Sequence, residues 1–203
     1  MLTDRPDCFT SLAEHHDVKL IRVPSKRSLI EIKAMKPNIM ALLPNKVNAT
    51  VYLDADVLVV KPLGPFLHSM KVEVGTQAGG SDFDFAMFLD AKGHYVGFCS
   101  GCEKWHTGVI VLRRRPQDRC MRAWESQLLS GRFSTDQESI DAAEREGSCP
   151  STVALSSRHF LFAKDYIGTA LSSGHSFIHA TGIERLNEQD IFYRCSWFSI
   201  LFA

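Results

Sequence analysis

The chain lacks net charge, with Lys plus Arg and Asp plus Glu at 23 each. No overall field draws it to nucleic acid or to an anionic membrane surface, so nucleic acid is not an expected partner. Any preference for an anionic ligand must come from local placement of cations. It also lacks an apolar stretch of about 18 residues, which excludes a membrane span within this sequence. Repeats and low-complexity segments are absent. The opening residues Met1, Leu2, Thr3 and Asp4 carry neither the basic start nor the long apolar run of a secretion signal. Cysteine is sparse: Cys8, Cys99, Cys102, Cys120, Cys149 and Cys195 form no dense framework, and their number does not settle the compartment. What is present is ordinary, 45% apolar residues over 203 positions, enough for one domain with a real core.

The most informative stretch is residues 51–60. An apolar run stops at Asp54 and Asp56, one residue apart, and an apolar run then resumes. Runs of this kind read as central strands of a covered sheet. If the backbone stays extended there, the two carboxylates project the same way. With no cation beside them in sequence they repel, and a divalent metal with oxygen ligands relieves that. The plainer alternative is one aspartate capping a turn and the other solvated.

Around this stretch the pattern alternates. Residues 7–16 read as a short helix and 18–23 as a strand stopped by Pro24. Ile32, Met35, Ile39 and Leu42 recur at helical spacing, predicting a helix over 29–43 that Pro37 starts or kinks. Strands are expected at 83–89, 107–112 and 176–179, with a loop over 93–101. Helices are expected from Pro116 to Gly131 and again from near Thr135. Strands alternating with helices predict an α/β domain with a mixed or mainly parallel sheet. The apolar tail, 192–203, is too short to span a membrane.

His179 ends a predicted strand, as the aspartates do, and ligands bind at such ends in open α/β sheets. Two carboxylates and an imidazole suit Mn²⁺ or Mg²⁺. After His179 come Gly182 and Arg185. The glycine permits close backbone approach to a bulky anion, and the guanidinium can fork onto phosphate oxygens. A metal and a guanidinium on one diphosphate would together activate a leaving group.

These residues resemble a glycosyltransferase of the GT-A fold, most like the glycogenin-like family 8. Four signatures occur in the family's order: the Asp-x-Asp strand at Tyr52 to Asp56; an Asn-Thr/Ser-Gly strand start matched by His106, Thr107 and Gly108, with histidine for asparagine; the pair Asp136 and Gln137; and a His-x-x-Gly-x-x-Lys signature at His179 to Arg185, with arginine for lysine. The resemblance implies a three-layer α/β sandwich with a mainly parallel mixed central sheet, one catalytic domain over 1–203. It implies transfer of a sugar from a nucleotide-diphosphate sugar donor to a hydroxyl of a carbohydrate, protein or small-molecule acceptor, with retention. Asp54, Asp56 and His179 would hold the metal. Lys36, or Lys33 in its place, with Ala55, His106, Thr107, Gly108, Gly182 and Arg185 would line the donor, and Asp136 and Gln137 would be catalytic. The family opens with a strand and glycine-containing loop that hold the base. This sequence reads as starting at the second strand, hence an N-terminally truncated fold. Cytoplasm stays open, as does the Golgi lumen if a longer chain carries an anchor.

Other readings compete. Thr135-x-x-Glu138 is a capping-box pattern, so Asp136 also fits a helix start. His94, Cys99, Cys102 and His106 have zinc-like spacing, but suit a loop with a disulfide or free thiols. Cys8, Cys120, Cys149 and Cys195 are expected as buried or unpaired thiols. Arg113, Arg114 and Arg115 read as a solvated edge, and Trp105 and Trp124 as packing rather than a sugar platform. Two other functions carry weight: a haloacid-dehalogenase-type phosphatase, in which Asp54 would attack phosphorus, and a truncated, inactive module that binds nucleotide sugar or a partner.

Overall fold

The computed structural model describes residues 2–3, 5–15, 19–25, 28–54, 56–68, 70, 83, 85–90, 104–114, 119–162, 175–179 and 200–202. In chain order they form β1 (Leu2–Thr3), a 3₁₀ turn (Pro6–Phe9), α1 (Thr10–His15), β2 (Ile21–Arg22), α2 (Leu29–Lys33) and α3 (Ile39–Leu42). Next come β3 (Ala49–Leu53), β4 (Val57–Val59), α4 (63–68), β5 (Phe85–Asp90) and β6 (Lys104–Arg113). The rest are α5 (Arg119–Leu129), α6 (Asp136–Arg145), β7 (Thr152–Leu155), a 3₁₀ turn (Ser157–His159), β8 (Phe160–Phe162), β9 (Phe177–His179) and β10 (Ile200–Phe202).

The main sheet is five-stranded in the order β10-β3-β6-β5-β7, beside a three-stranded sheet β4-β9-β8 and the parallel pair β1-β2. Strand β6 lies at the centre, and its residues 105–112 are all buried. Such a strand reads as continuously apolar because both faces are covered. Ile110 and Leu112 pack with Trp124, Leu128 and Ile140 of α5 and α6. Val109 and Val111 alternate to the other face and pack with Phe66, Phe160 and Phe177. The sheet thus separates two apolar layers, one under helices and one under α4 and the smaller sheet.

The α/β class and the mixed sheet are as expected. The expected excess of parallel pairing is corrected: β10-β3, β3-β6 and β6-β5 are antiparallel, and β5-β7 is parallel. The single helix over 29–43 is two short ones. Pro37 cannot continue a helix and restrains Lys36 before it, so the chain bends between α2 and α3. The apolar stretch 51–60 is likewise two strands in two different sheets. Part of the apolar tail joins the core sheet, since 200–202 pair with β3.

Cys120 and Cys149 are not free thiols. They form a disulfide with Cα atoms 4.6 Å apart, because α5 and α6 pack as a hairpin that brings the start of one beside the end of the other. Cys8 is disulfide-bonded as well. The hairpin is further locked by Trp124, whose indole N–H faces both the Asp136 carbonyl at 3.2 Å and the Ser139 hydroxyl at 3.0 Å. That fixes the first turn of α6, on which Asp136 stands. Among the described residues no helix is long and apolar enough to cross a membrane.

Candidate active site

The site forms where β3, β6, β9 and the start of α6 meet. Side chains two apart on a strand share a side, so Tyr52 and Asp54 neighbour each other, and the Tyr52 hydroxyl donates to Asp54 Oδ1 at 2.5 Å. Beyond Leu53 the chain does not stay extended. Asp54 N donates to Gly108 O at 2.8 Å, and Val57 N donates back to Asp54 O at 3.1 Å, closing a tight turn into β4. The turn, rather than strand alternation, brings Asp56 beside Asp54. Val57 pairs with His179 across β4 and β9, which sets the His179 Nε2 3.3 Å from Asp56 Oδ1. One ligand atom each from Asp54, Asp56 and His179 lies within 4.8 Å of the others. Two carboxylate oxygens and an imidazole nitrogen so gathered fit a single divalent ion such as Mn²⁺ or Mg²⁺.

A β-bulge shapes the opposite wall. Met87 pairs with Ile110, but the next residue, Phe88, pairs with His106, leaving Thr107, Gly108 and Val109 without partners on β5. Among these extra residues Gly108 meets the end of β3, its carbonyl accepting from Asp54 N. The bulge also reverses the alternation of β6. Ile110 faces the helices, yet the His106 ring lies 4.6 Å from that of Phe160 on the other face, while Trp105 packs with the helix layer.

Into the bulge projects Lys36, from the bend before Pro37. Its Nζ lies 2.9 Å from the Asp54 carboxylate and 2.5 Å from Asp136 Oδ2. It also donates to the Thr107 carbonyl at 3.3 Å and stands 5.3 Å over the Tyr52 ring. The Thr107 hydroxyl donates to Asp136 Oδ2 at 2.7 Å. Lys33, one turn earlier, adds a second ammonium 3.6 Å from Asp136 Oδ1. Burial works to lower the Lys36 pKa, but Asp136 and Asp54 outweigh it and hold it well above the ordinary lysine value. Burial likewise works to raise Asp136, yet Lys36 and the Thr107 bond keep it far below the ordinary carboxylate value. Asp54 goes the other way: burial, with the charge of Asp136, lifts it despite Lys36 and Tyr52.

His106 and Gly108 pack against the imidazole of His179. The His106 Nδ1 accepts from Gly108 N at 3.2 Å, and its ring meets that of His179 edge to face at 4.6 Å. Burial first, then His179 and Lys36, hold its pKa well below the ordinary histidine value, so it is neutral. With Nδ1 accepting, the proton sits on Nε2. A Cβ on Gly108 would lie 2.4 Å from His106 Cε1 and 3.1 Å from His179, so only glycine fits between the rings.

The fold has counterparts among solved structures. The fold is GT-A-like. An active-site mutant of LgtC superposes with a TM-score of 0.53 at 10% identity, over 94% of this chain and 80% of that one. The galactosyltransferase LgtC in complex with donor and acceptor sugar analogs gives a TM-score of 0.48 at 13% identity, over 83% and 68%. The bifunctional glycosyltransferase WbbM in its apo form gives 0.42 at 11%, over 82% and 34%. At such identities the likeness is one of fold. No protein-family model matches the sequence, and a search of curated proteins finds no match.

On this GT-A-like frame Lys36, Asp54, Asp56, His106, Thr107, Gly108, Asp136 and His179 come together. Gln137 stands half-buried in the first turn of α6. Ala55, Gly182 and Arg185 lie outside the described residues, as do His94, Cys99, Cys102 and Cys195. Asp136 also begins α6 behind a complete capping box between Thr135 and Glu138, so its reading as a helix start holds. Sequence reasoning passed over Tyr52 as a partner of Asp54. The two-residue spacing on a strand was the available signal.

Proposed function

We propose that the chain is a metal-dependent glycosyltransferase of the glycogenin-like family 8 type. It would move a sugar from a nucleotide-diphosphate sugar donor to an acceptor hydroxyl, with retention of configuration. The observation that carries this reading is the meeting of Asp54, Asp56 and His179 beside the buried Lys36–Asp136 pair, at strand ends of a GT-A-like sheet. One neighbour of similar fold, LgtC, is described with donor and acceptor sugar analogs, which supports the substrate class.

Asp54, Asp56 and His179 would hold Mn²⁺ or Mg²⁺. Bound there, the ion supplies a Lewis acid for the departing diphosphate. Tyr52 and Lys36 orient the Asp54 carboxylate by holding its oxygens. Lys36 and Thr107 keep Asp136 ionised and fixed, so its charge stands ready to offset positive charge developing on the sugar. Gln137, next on α6, would contact donor hydroxyls. Ala55, Gly182 and Arg185 would complete the proposed donor site, Arg185 as a second cation for the diphosphate.

The phosphatase alternative needs Asp54 free to attack phosphorus. Here its carboxylate is held by Lys36 and Tyr52, which favours the transferase. The inactive module, if it binds nucleotide sugar, shares the binding site and differs only in turnover; if it binds a partner instead, it needs no donor. Thermal-shift titration with Mn²⁺ and a panel of nucleoside diphosphates tests binding. Stabilisation should need both components, and the absence of any metal-dependent shift would sink the reading. A transfer assay with the stabilising nucleotide's sugars, with the product anomer read by NMR, then separates enzyme from module.

A further inference from the structure

The position of Lys36 raises a question of charge. Its ammonium already occupies the inner side of Asp54, 2.9 Å from the carboxylate that the metal would use. It is not free to swing away. Asp136 holds it at 2.5 Å, the Thr107 carbonyl at 3.3 Å and the Thr107 hydroxyl at 3.4 Å, and only 8% of its side chain is exposed. A dication bound by Asp54, Asp56 and His179 therefore has a fixed positive charge on its buried inner side, and the two like charges repel across that side. Lys33, 3.6 Å from Asp136, adds to that field.

We propose that Lys36 is an internal counter-cation that competes with the divalent ion for Asp54. It makes the site a poor binder of bare metal and leaves tight uptake to a metal that arrives with a diphosphate. This rests on the metal-and-diphosphate reading above. Counting ionised groups, Asp54, Asp56 and Asp136 face Lys36 and Lys33, so the site carries little surplus negative charge for a dication. A diphosphate supplies the missing charge and attracts both cations at once. Lys36 thus couples the two ligands: it opposes the metal alone and favours the pair.

The test measures Mn²⁺ binding to the intact chain, by the fall in free Mn²⁺ signal in electron paramagnetic resonance, without and with inorganic pyrophosphate. Lys36→Met keeps the length and removes the charge, whereas Lys36→Arg keeps the charge. Lys36→Met should bind Mn²⁺ alone at least about tenfold more tightly than the wild type. It should also lose most of the gain that pyrophosphate gives the wild type, and Lys36→Arg should stay near the wild type. Should Lys36→Met alone fail to fold, the same measurement is made on Lys36→Met with Asp136→Asn, which leaves no stranded carboxylate. Mn²⁺ binding by either uncharged variant that equals or falls below the wild type overturns the competition and makes Lys36 a support for Asp54. Failure of every protein to bind Mn²⁺, with or without pyrophosphate, overturns the metal reading itself.

Discussion

The two sides of the candidate site are built differently. On the inner side, Lys36, Asp136 and Thr107 are buried, tied to one another and anchored to the α5–α6 hairpin. On the outer side, half of the Asp56 side chain is exposed, and it stands on a turn between two sheets, next to an edge strand. The inner side resembles a core that happens to be ionic; the outer side resembles a ligand surface. Removing a group from the first should therefore cost stability, and removing one from the second should cost binding.

Asp136→Ala should have the largest effect on stability. It leaves buried Lys36 with Asp54 as its carboxylate partner and takes the acceptor from the Thr107 hydroxyl, and breaking such a buried pair costs about 3–5 kcal/mol. Chemical denaturation reads this directly, and a loss within error would show the inner side to be solvated after all. Asp136→Asn sharpens the point through pH. The folded pKa of Asp136 is depressed, so its contribution is complete above the ordinary value of 3.8 and fades as pH falls below it. The raised pKa of Lys36 acts in the opposite sense, with its contribution complete below 10.5 and lost as pH rises beyond. The asparagine variant should therefore show a shallower fall in melting temperature under acid than the wild type; parallel acid limbs would contradict the pairing.

Gly108→Ala comes next, at about 1–3 kcal/mol for an overpacked buried site. Because the new methyl meets both His106 and His179, Mn²⁺ affinity should fall with stability. A stable variant with unchanged metal binding would mean that the rings can part. Thr135→Ala removes one arm of the capping box and should cost about 1 kcal/mol, with diphosphate binding weakened only slightly. Asp56→Ala is the opposite extreme: an unchanged melting temperature without ligand, and loss of the metal-dependent shift. If it destabilised the free chain as Asp136→Ala does, the contrast between the two sides would collapse.

Much of this arrangement was readable before any coordinates. Asp54, Asp56 and His179 stood out because charged residues interrupt buried strands only where something compensates them. The capping box at Thr135 was visible for the same local reason. Three things were not legible, each for a tertiary reason. The short strands β7, β8 and β10 are three or four residues long, below the length at which a period declares itself. The Cys120–Cys149 bond depends on how α5 and α6 pack, which spacing alone does not fix. The bulge in β6 hides inside an unbroken buried run, where both faces are covered and alternation carries no signal.

That bulge also makes the site a matter of counting. Thr107, Gly108 and Val109 are the residues by which β6 outruns β5, and they decide which face His106 and Trp105 occupy. Exchange of a side chain there changes a contact, but loss or gain of a single residue would rotate everything before it to the wrong face. The indole of Trp105 would then be driven against Phe160 and His179, while His106 turned under the helices. Over evolutionary time this segment, Gly108 apart, should tolerate substitution better than any change of length, and a sequence descended from the same ancestor should carry no insertion or deletion between His106 and Ile110.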